Sequence, residues 1–240
     1  LSAPPGATRF DASDAMATQL DLQEQEQLDS LKSFWKQYGN LITWVLILAL
    51  GAYAGWNGWQ WYQRDQAVKA GAMFDELDRS AQAGDAERAG RVFGDLRAQY
   101  PSTTFAAQGG LLAARVQADQ GQADAARASL TWVAEQSGDD ALRTVARLRL
   151  AGLMIDGGDT EAALQQLAAA DAPGFEALVA DRRGDALMLQ GKAAEARAAW
   201  EAAYAAMGDR LEYRRLVEAK LAAIGAAPAS EAIGATEAVR

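Results

Sequence analysis

The sequence has no cysteine and no histidine. Disulfides, thiol nucleophiles and Cys- or His-built metal sites are excluded with them. Nucleophile–base pairs that need an imidazole go too, which leaves only rarer Ser–Lys or paired-carboxylate chemistry. The lack of cysteine assigns no compartment, because such chains occur on both sides of a bacterial membrane. Proline is scarce, at 5 residues in 240, and β-branched residues are few. Alanine dominates the apolar half, so close-packed helices are favoured over strands. Positive charge is short as well: 23 Lys and Arg against 32 Asp and Glu give a net charge of −9. That sign argues against nucleic acid as a partner, since phosphate binding needs clustered bases. The length suffices for one substantial core, or for one core plus a membrane segment.

One stretch lacks charge of either sign. Between Lys36 and Arg64 lies an uncharged run of about 27 residues, longer than the roughly 20 that span the hydrocarbon of a bilayer. Trp35 and Tyr38 stand near one end, and Trp56, Trp59, Trp61 and Tyr62 crowd the other. Aromatic rings gather at headgroup level because one part is apolar and another can hydrogen-bond. Residues 41–62 are therefore expected to form a single transmembrane helix in contact with membrane lipid. A cleavable signal peptide is the rival, because "AYA" at Ala52 to Ala54 has the small-x-small form of a cleavage site. The length of the run and the mixed charges before it favour an uncleaved anchor. Lys32 and Lys36 balance Arg64 and Lys69, so flanking charge leaves the orientation open. Gly51 and Gly55 form a GxxxG, with Gly58 about one turn on, a candidate transmembrane packing face. The alternative is that glycine is simply common in membrane helices.

The ends read differently. Residues 1–20 begin Pro/Gly/Ala-rich, ahead of Met16, and are expected to be a disordered N-terminal extension. Residues 21–40 are expected to be an amphipathic juxtamembrane segment, with Leu28, Leu31, Phe34 and Trp35 on one helical face. Residues 225–240, low in bulky side chains, are expected to be a flexible tail.

The stretch from Asp65 to Ile224 repeats. Gly84, Gly121, Gly158 and Gly191 are separated by about 37, 37 and 33 residues, in the range of helical repeats. Five positions after each stands an alanine: Ala89, Ala126, Ala163 and Ala196. Nine after each stands a bulky apolar residue: Phe93, Leu130, Leu167 and Trp200. Each glycine is expected to end one helix in a left-handed conformation, with the next starting just beyond. The alanine lets the paired helix approach, and the large residue fills the space beside it. A mid-thirties period with A-x3-F is the tetratricopeptide pattern, although the strong consensus tryptophan and first-helix tyrosine are missing. The fold class is all-α: an N-terminal transmembrane helix, then a tetratricopeptide-like helical-repeat solenoid over residues 65–224. Stacked pairs of this kind leave a face that commonly holds peptides or partner helices.

No catalytic constellation emerges. Asp181 and Asp185 lie one turn apart, but with Arg182 and Arg183 among them a solvated or salt-bridged helix face explains the set. "QGKAAE" near Gly191 lacks the glycine loop and the Ser or Thr of a phosphate-binding motif. No enzyme activity, cofactor or metal is expected.

Three stretches together carry a resemblance: "EQLDSLKSFWKQYGN" before the apolar run, "GWNGWQWYQ" at its exit, and "GFEALVADRRGDALMLQGKAAEARAAWEAA" from Gly174. With the anchor and degenerate repeats they resemble the ancillary subunit of the bacterial Sec translocon, over roughly Asp21 to Ile224. The resemblance implies a bacterial inner-membrane, single-pass protein with a cytoplasmic N-terminus and a periplasmic domain. It implies partners too: the Sec translocon, a membrane-anchored periplasmic peptidyl-prolyl isomerase-like chaperone, and exported polypeptides. The implied function is non-catalytic transfer of exported proteins to periplasmic chaperones. The alternative is an anchored helical-repeat scaffold for envelope assembly or stress-response regulation.

Overall fold

The structure is a computed structural model that describes residues 11–207 and 211–226, with side chains over 28–207 and 213–226. Among the described residues there are nine α-helices and no strand. The chain divides into two units, residues 1–63 and 64–240.

Helix α1 runs from Asp11 to Gln82. No proline stands between Pro5 and Pro101, so nothing in the backbone forces a break over that length. The expected juxtamembrane and transmembrane segments both lie within α1, which begins inside the stretch 1–20. Residues 1–10 lie outside the described ones. Within the first unit, large apolar side chains from Leu28 to Tyr62 are exposed. Only 6 % of the most apolar window of α1 is buried.

The second unit is a stack of antiparallel helices. After the last turns of α1 come α2 (Ala86–Gln99), α3 (Thr104–Asp119), α4 (Ala123–Gln136) and α5 (Asp140–Asp156). Then follow α6 (Thr160–Ala168), α7 (Glu176–Leu189), α8 (Ala193–Ala206) and α9 (Leu211–Ala223). From α2 to α9 each helix packs on the next, and α5 also packs on α3 and α7. Short turns produce this order, and they share one chemistry. Gly84, Gly121, Gly158, Gly191 and Gly225 all have φ between 70° and 81°, where a Cβ is disfavoured and glycine is not. At Gly84, the glycine N–H donates to the Ala81 carbonyl and the next N–H, of Asp85, to the Ser80 carbonyl. The other four repeat this paired cap, which satisfies carbonyls that a helix end otherwise strands.

Starts are capped as well. Asp85, Asp139 and Asp159 accept from the N–H three residues on, in α2, α5 and α6. Thr103 does the same for α3. Gly225, which composition places in the tail, closes α9 with the same cap as the repeats, and residues 227–240 lie outside the described ones.

The core follows the helix faces. Leu77, Val92, Phe93 and Ala113 form one cluster. Ala126, Leu130, Val133, Ala146 and Leu150 belong to a second, and Ala177, Leu187, Ala196, Trp200, Val217 and Leu221 to a third. Two glycines mark where helices approach most closely. A methyl at Gly184 would stand 2.4 Å from the Trp200 indole, and one at Gly110 would stand 2.4 Å from Val133 Cγ2. Helix α8 thus seats its tryptophan directly on α7.

Candidate functional site

Two features rise above the scaffold of the second unit, and both grow from the first helices of successive pairs. The first is a groove of about 470 Å3. Helices α3, α5, α7 and α9 supply its walls, and Leu130 of α4 reaches it from below. Val145, Leu148 and Leu153 on α5, with Phe175 and Leu178 at the start of α7, make much of its lining apolar. Thr144 helps to set Phe175 in place: its buried hydroxyl accepts from the Ala172 N–H at 3.2 Å and fixes the α6–α7 connection. Across this floor stand three guanidinium groups, Arg115, Arg149 and Arg182, with the carboxylates of Asp119 and Asp156.

These arginines are differently engaged. Arg115 is 3.9 Å from Asp119, one turn along α3, and both side chains are mostly exposed. Arg182 Nη1 lies 3.5 Å from Asp185 Oδ2. Arg149 donates to the Leu111 carbonyl at 3.1 Å, and among the described residues it forms no salt bridge. Partial burial, and then the neighbouring Arg115 charge, lower the pKa of Arg149. Both causes disfavour the cation, so a carboxylate arriving there would be welcome electrostatically.

The second feature is a buried polar network beside the groove. The Asp181 side chain is 1 % exposed. Its Oδ1 accepts from Lys220 Nζ at 2.8 Å and its Oδ2 from the Tyr213 O–H at 2.7 Å. Lys220 Nζ also reaches Asp185 Oδ1 at 2.6 Å. The Trp200 indole N–H lies 3.2 Å from the Asp181 carbonyl and 3.3 Å from Asp185 Oδ1. Burial first, then the hydrogen bond and charge of Asp181, push the Tyr213 phenol above its ordinary pKa. It stays a donor. With cation and donors satisfying both oxygens, a buried carboxylate is tolerable. The arrangement clamps α9 onto α7 and α8.

The residues singled out in the sequence are placed as follows. Ala89, Ala126, Ala163 and Ala196 are fully buried, and Phe93, Leu130, Leu167 and Trp200 are 4 % exposed or less. Ala126 joins Leu130 in one cluster, Ala163 joins Leu167 in another, and Ala196 joins Trp200 in a third. Gly51, Gly55 and Gly58 face open space, with nothing within 4 Å of an added methyl. Of the solvated and salt-bridged alternatives for Asp181 and Asp185, the structure shows the salt-bridged one, with Asp185 also facing Arg182. They pair with Lys220 and Tyr213, which the sequence reading did not single out. A signal for both existed: Gly225 stands at the repeat distance from Gly191, and marks one more helix in register. Arg149 and Arg182 also share a register, each nine positions before a repeat glycine.

Comparison with known proteins agrees with this architecture. The chain matches the family described as tetratricopeptide repeat-like domain over residues 32–226. It is 31 % identical over 181 residues to a protein of Escherichia coli (strain K12) named ancillary SecYEG translocon subunit, covering 75 % of this chain and 86 % of that one. A protein of the same name from Haemophilus influenzae is 28 % identical over 80 % of this chain and 93 % of its own. One from Neisseria gonorrhoeae is 29 % identical, over 83 % and 96 %.

Proposed function

Since this chain belongs to the tetratricopeptide repeat-like family of ancillary SecYEG translocon subunits, we propose that it is a membrane-anchored, non-catalytic interaction protein of the Sec translocon. Its work is to hold exported polypeptides as they emerge and pass them to a membrane-anchored peptidyl-prolyl isomerase-like chaperone in the periplasm. The observation that carries this reading is the exposed apolar face of α1 alongside a repeat unit that has its own core. From Leu41 to Tyr62, bulky side chains stand more than half exposed at most positions, over a length that fits a bilayer. A soluble helix would bury such a stripe, because apolar area in water costs roughly 25 cal/mol per Å². Lipid supplies the missing burial. The repeat unit offers a groove and buried structural polar groups, which suits binding rather than turnover.

Orientation follows from the proposal and is separately testable. With the N-terminus cytoplasmic, an alkaline phosphatase reporter fused after Ile224 is active, and a cytoplasm-only fluorescent reporter at the same position is dark. The reverse pattern would turn the protein over and remove the periplasmic role.

A further inference from the structure

We propose that a notch at the end of the short helix α6, floored by α7 and walled by α8, docks a basic helical segment of a partner polypeptide. This rests on the reading that the repeat unit works by holding partners, and it places the contact away from the groove of the first helices.

The notch exists because one helix ends early. The second helices α2, α4 and α8 each run 14 residues, whereas α6 runs 9. Pro173 and Gly174 follow it closely. Proline cannot sit inside a helix without breaking it, and it disfavours the helical backbone of the residue before it. Beside the α6–α7 connection lies a hollow of about 570 Å3, within the range of pockets that take a ligand-sized segment. Val179, Ala180 and Leu187 of α7 form its floor, and Ala198, Ala199 and Ala202 of α8 one wall. The floor uses a different face of α7 from Leu178 and Arg182, which line the first groove. Ala198 and Ala202 are exposed and one turn apart, and side chains this short let another helix approach closely. A helix laid there would stand in for the turns that α6 lacks.

Charge selects which helix. The rim carries Asp171, Glu176 and Glu195 against one cation, Arg183. All four are exposed, and among the described residues none forms a salt bridge. Backbone hydrogen bonds, from its own N–H and then from that of Gly174, lower the pKa of Glu176. Glu176 and Glu195 also lie in the first turns of α7 and α8, where the helix dipole favours an anion. Lysines or arginines flanking a small apolar face would meet carboxylates on this rim. An acidic segment would meet like charge.

The experiment uses the full chain in nanodiscs of zwitterionic lipid, with empty nanodiscs as blank. Three labelled helical peptides share one face of alanine and leucine and differ only in carrying lysine, glutamine or glutamate beside it. Fluorescence anisotropy should rank lysine above glutamine by about tenfold, as several exposed ion pairs together give, with glutamate weakest. The preference should shrink in high salt. Asp171→Asn with Glu195→Gln leaves Glu176 balanced by Arg183, and should erase the lysine advantage while glutamine-peptide binding holds. The whole chain carries −9 and draws cations generally. Glu87→Gln with Asp95→Asn, two exposed acids of α2, removes the same charge elsewhere and should leave the advantage intact. Ala198→Trp, at an exposed position, fills the hollow and should abolish binding of all three peptides. Helicity should be unchanged throughout.

Equal binding of the lysine and glutamine peptides overturns the proposal. A lysine advantage that survives the Asp171 and Glu195 substitutions, or binding that survives Ala198→Trp, overturns it as well. No peptide binding while the full chain still captures the translocon also overturns it, and leaves the translocon reading standing. A lysine preference lost in the rim variant, without translocon capture, does the opposite.

Discussion

Ala196→Arg should unfold the C-terminal part of the repeat unit. Ala196 is fully buried on α8, in a cluster with Leu187, Trp200 and Val217, and Trp200 itself rests on Gly184. There is no room for two further methylenes and a guanidinium, and overpacking of that size costs about 1–3 kcal/mol. An unpaired buried cation adds several more. The sum approaches the whole stability of an ordinary domain, about 5–15 kcal/mol. Repeat units couple mainly to their neighbours, so the damage should be graded. Hydrogen exchange on the full chain in mild detergent should lose protection across α7 to α9 and retain it in α2 and α3. Arg197→Ala is the control. Its side chain points out and pairs with Glu201 along the same helix, 2.8 Å away and half exposed, a contact worth about 0.3–0.5 kcal/mol. Unchanged protection in Ala196→Arg would undo the register of alanines proposed for the repeats.

Lys220→Met should be nearly as damaging, for an electrostatic reason. Methionine keeps most of the volume over the Trp200 ring, where Lys220 Nζ now stands 5.9 Å from the centroid. It removes the cation shared by Asp181 and Asp185. Asp181 would then keep only the Tyr213 hydrogen bond for a buried negative charge. Breaking one side of a buried pair costs about 3–5 kcal/mol. The lower end applies, because the lysine side chain is 22 % exposed. A unit of this size should melt roughly 6–12 °C lower at about 2–4 °C per kcal/mol. Adding Asp181→Asn should recover much of the loss, since the buried charge is gone and the Tyr213 hydroxyl still has an oxygen to donate to. If the two substitutions instead add their losses, the pair is not coupled and α9 is held by packing alone.

Local chemistry was legible and distant pairing was not. A left-handed glycine, an alanine five positions on and a large residue nine positions on are constraints within one turn and its helix, so the sequence displays them at fixed offsets. N-caps such as Asp85 and Asp159 are local in the same way. Lys220 and Asp181 are 39 residues apart, and no spacing rule joins a lysine on one helix to an aspartate two helices earlier. The two aspartates therefore read as a solvated or salt-bridged face, and only the fold, by bringing α9 over them, shows that the salt bridges run to Lys220. The groove was hidden for a related reason: the sequence reading did not single out Arg115 or Arg149, and only the fold places them in one lining with Arg182. Helix α1 shows the reverse problem. The expected division into juxtamembrane and membrane segments follows changes in polarity, whereas the backbone meets no proline and continues helical through them.

Co-purification tests the central claim most directly. Membrane attachment confines both partners to one surface and raises their effective concentration. The full chain, expressed at natural levels and purified in mild detergent, is therefore compared with a chain beginning at Asp65, matched in amount and in helicity by circular dichroism. Mass spectrometry should find the Sec translocon and the isomerase-like chaperone with the full chain, and far less of either with the shorter one. Absence of translocon subunits from the full-chain sample, with envelope-assembly proteins in their place, would contradict the account.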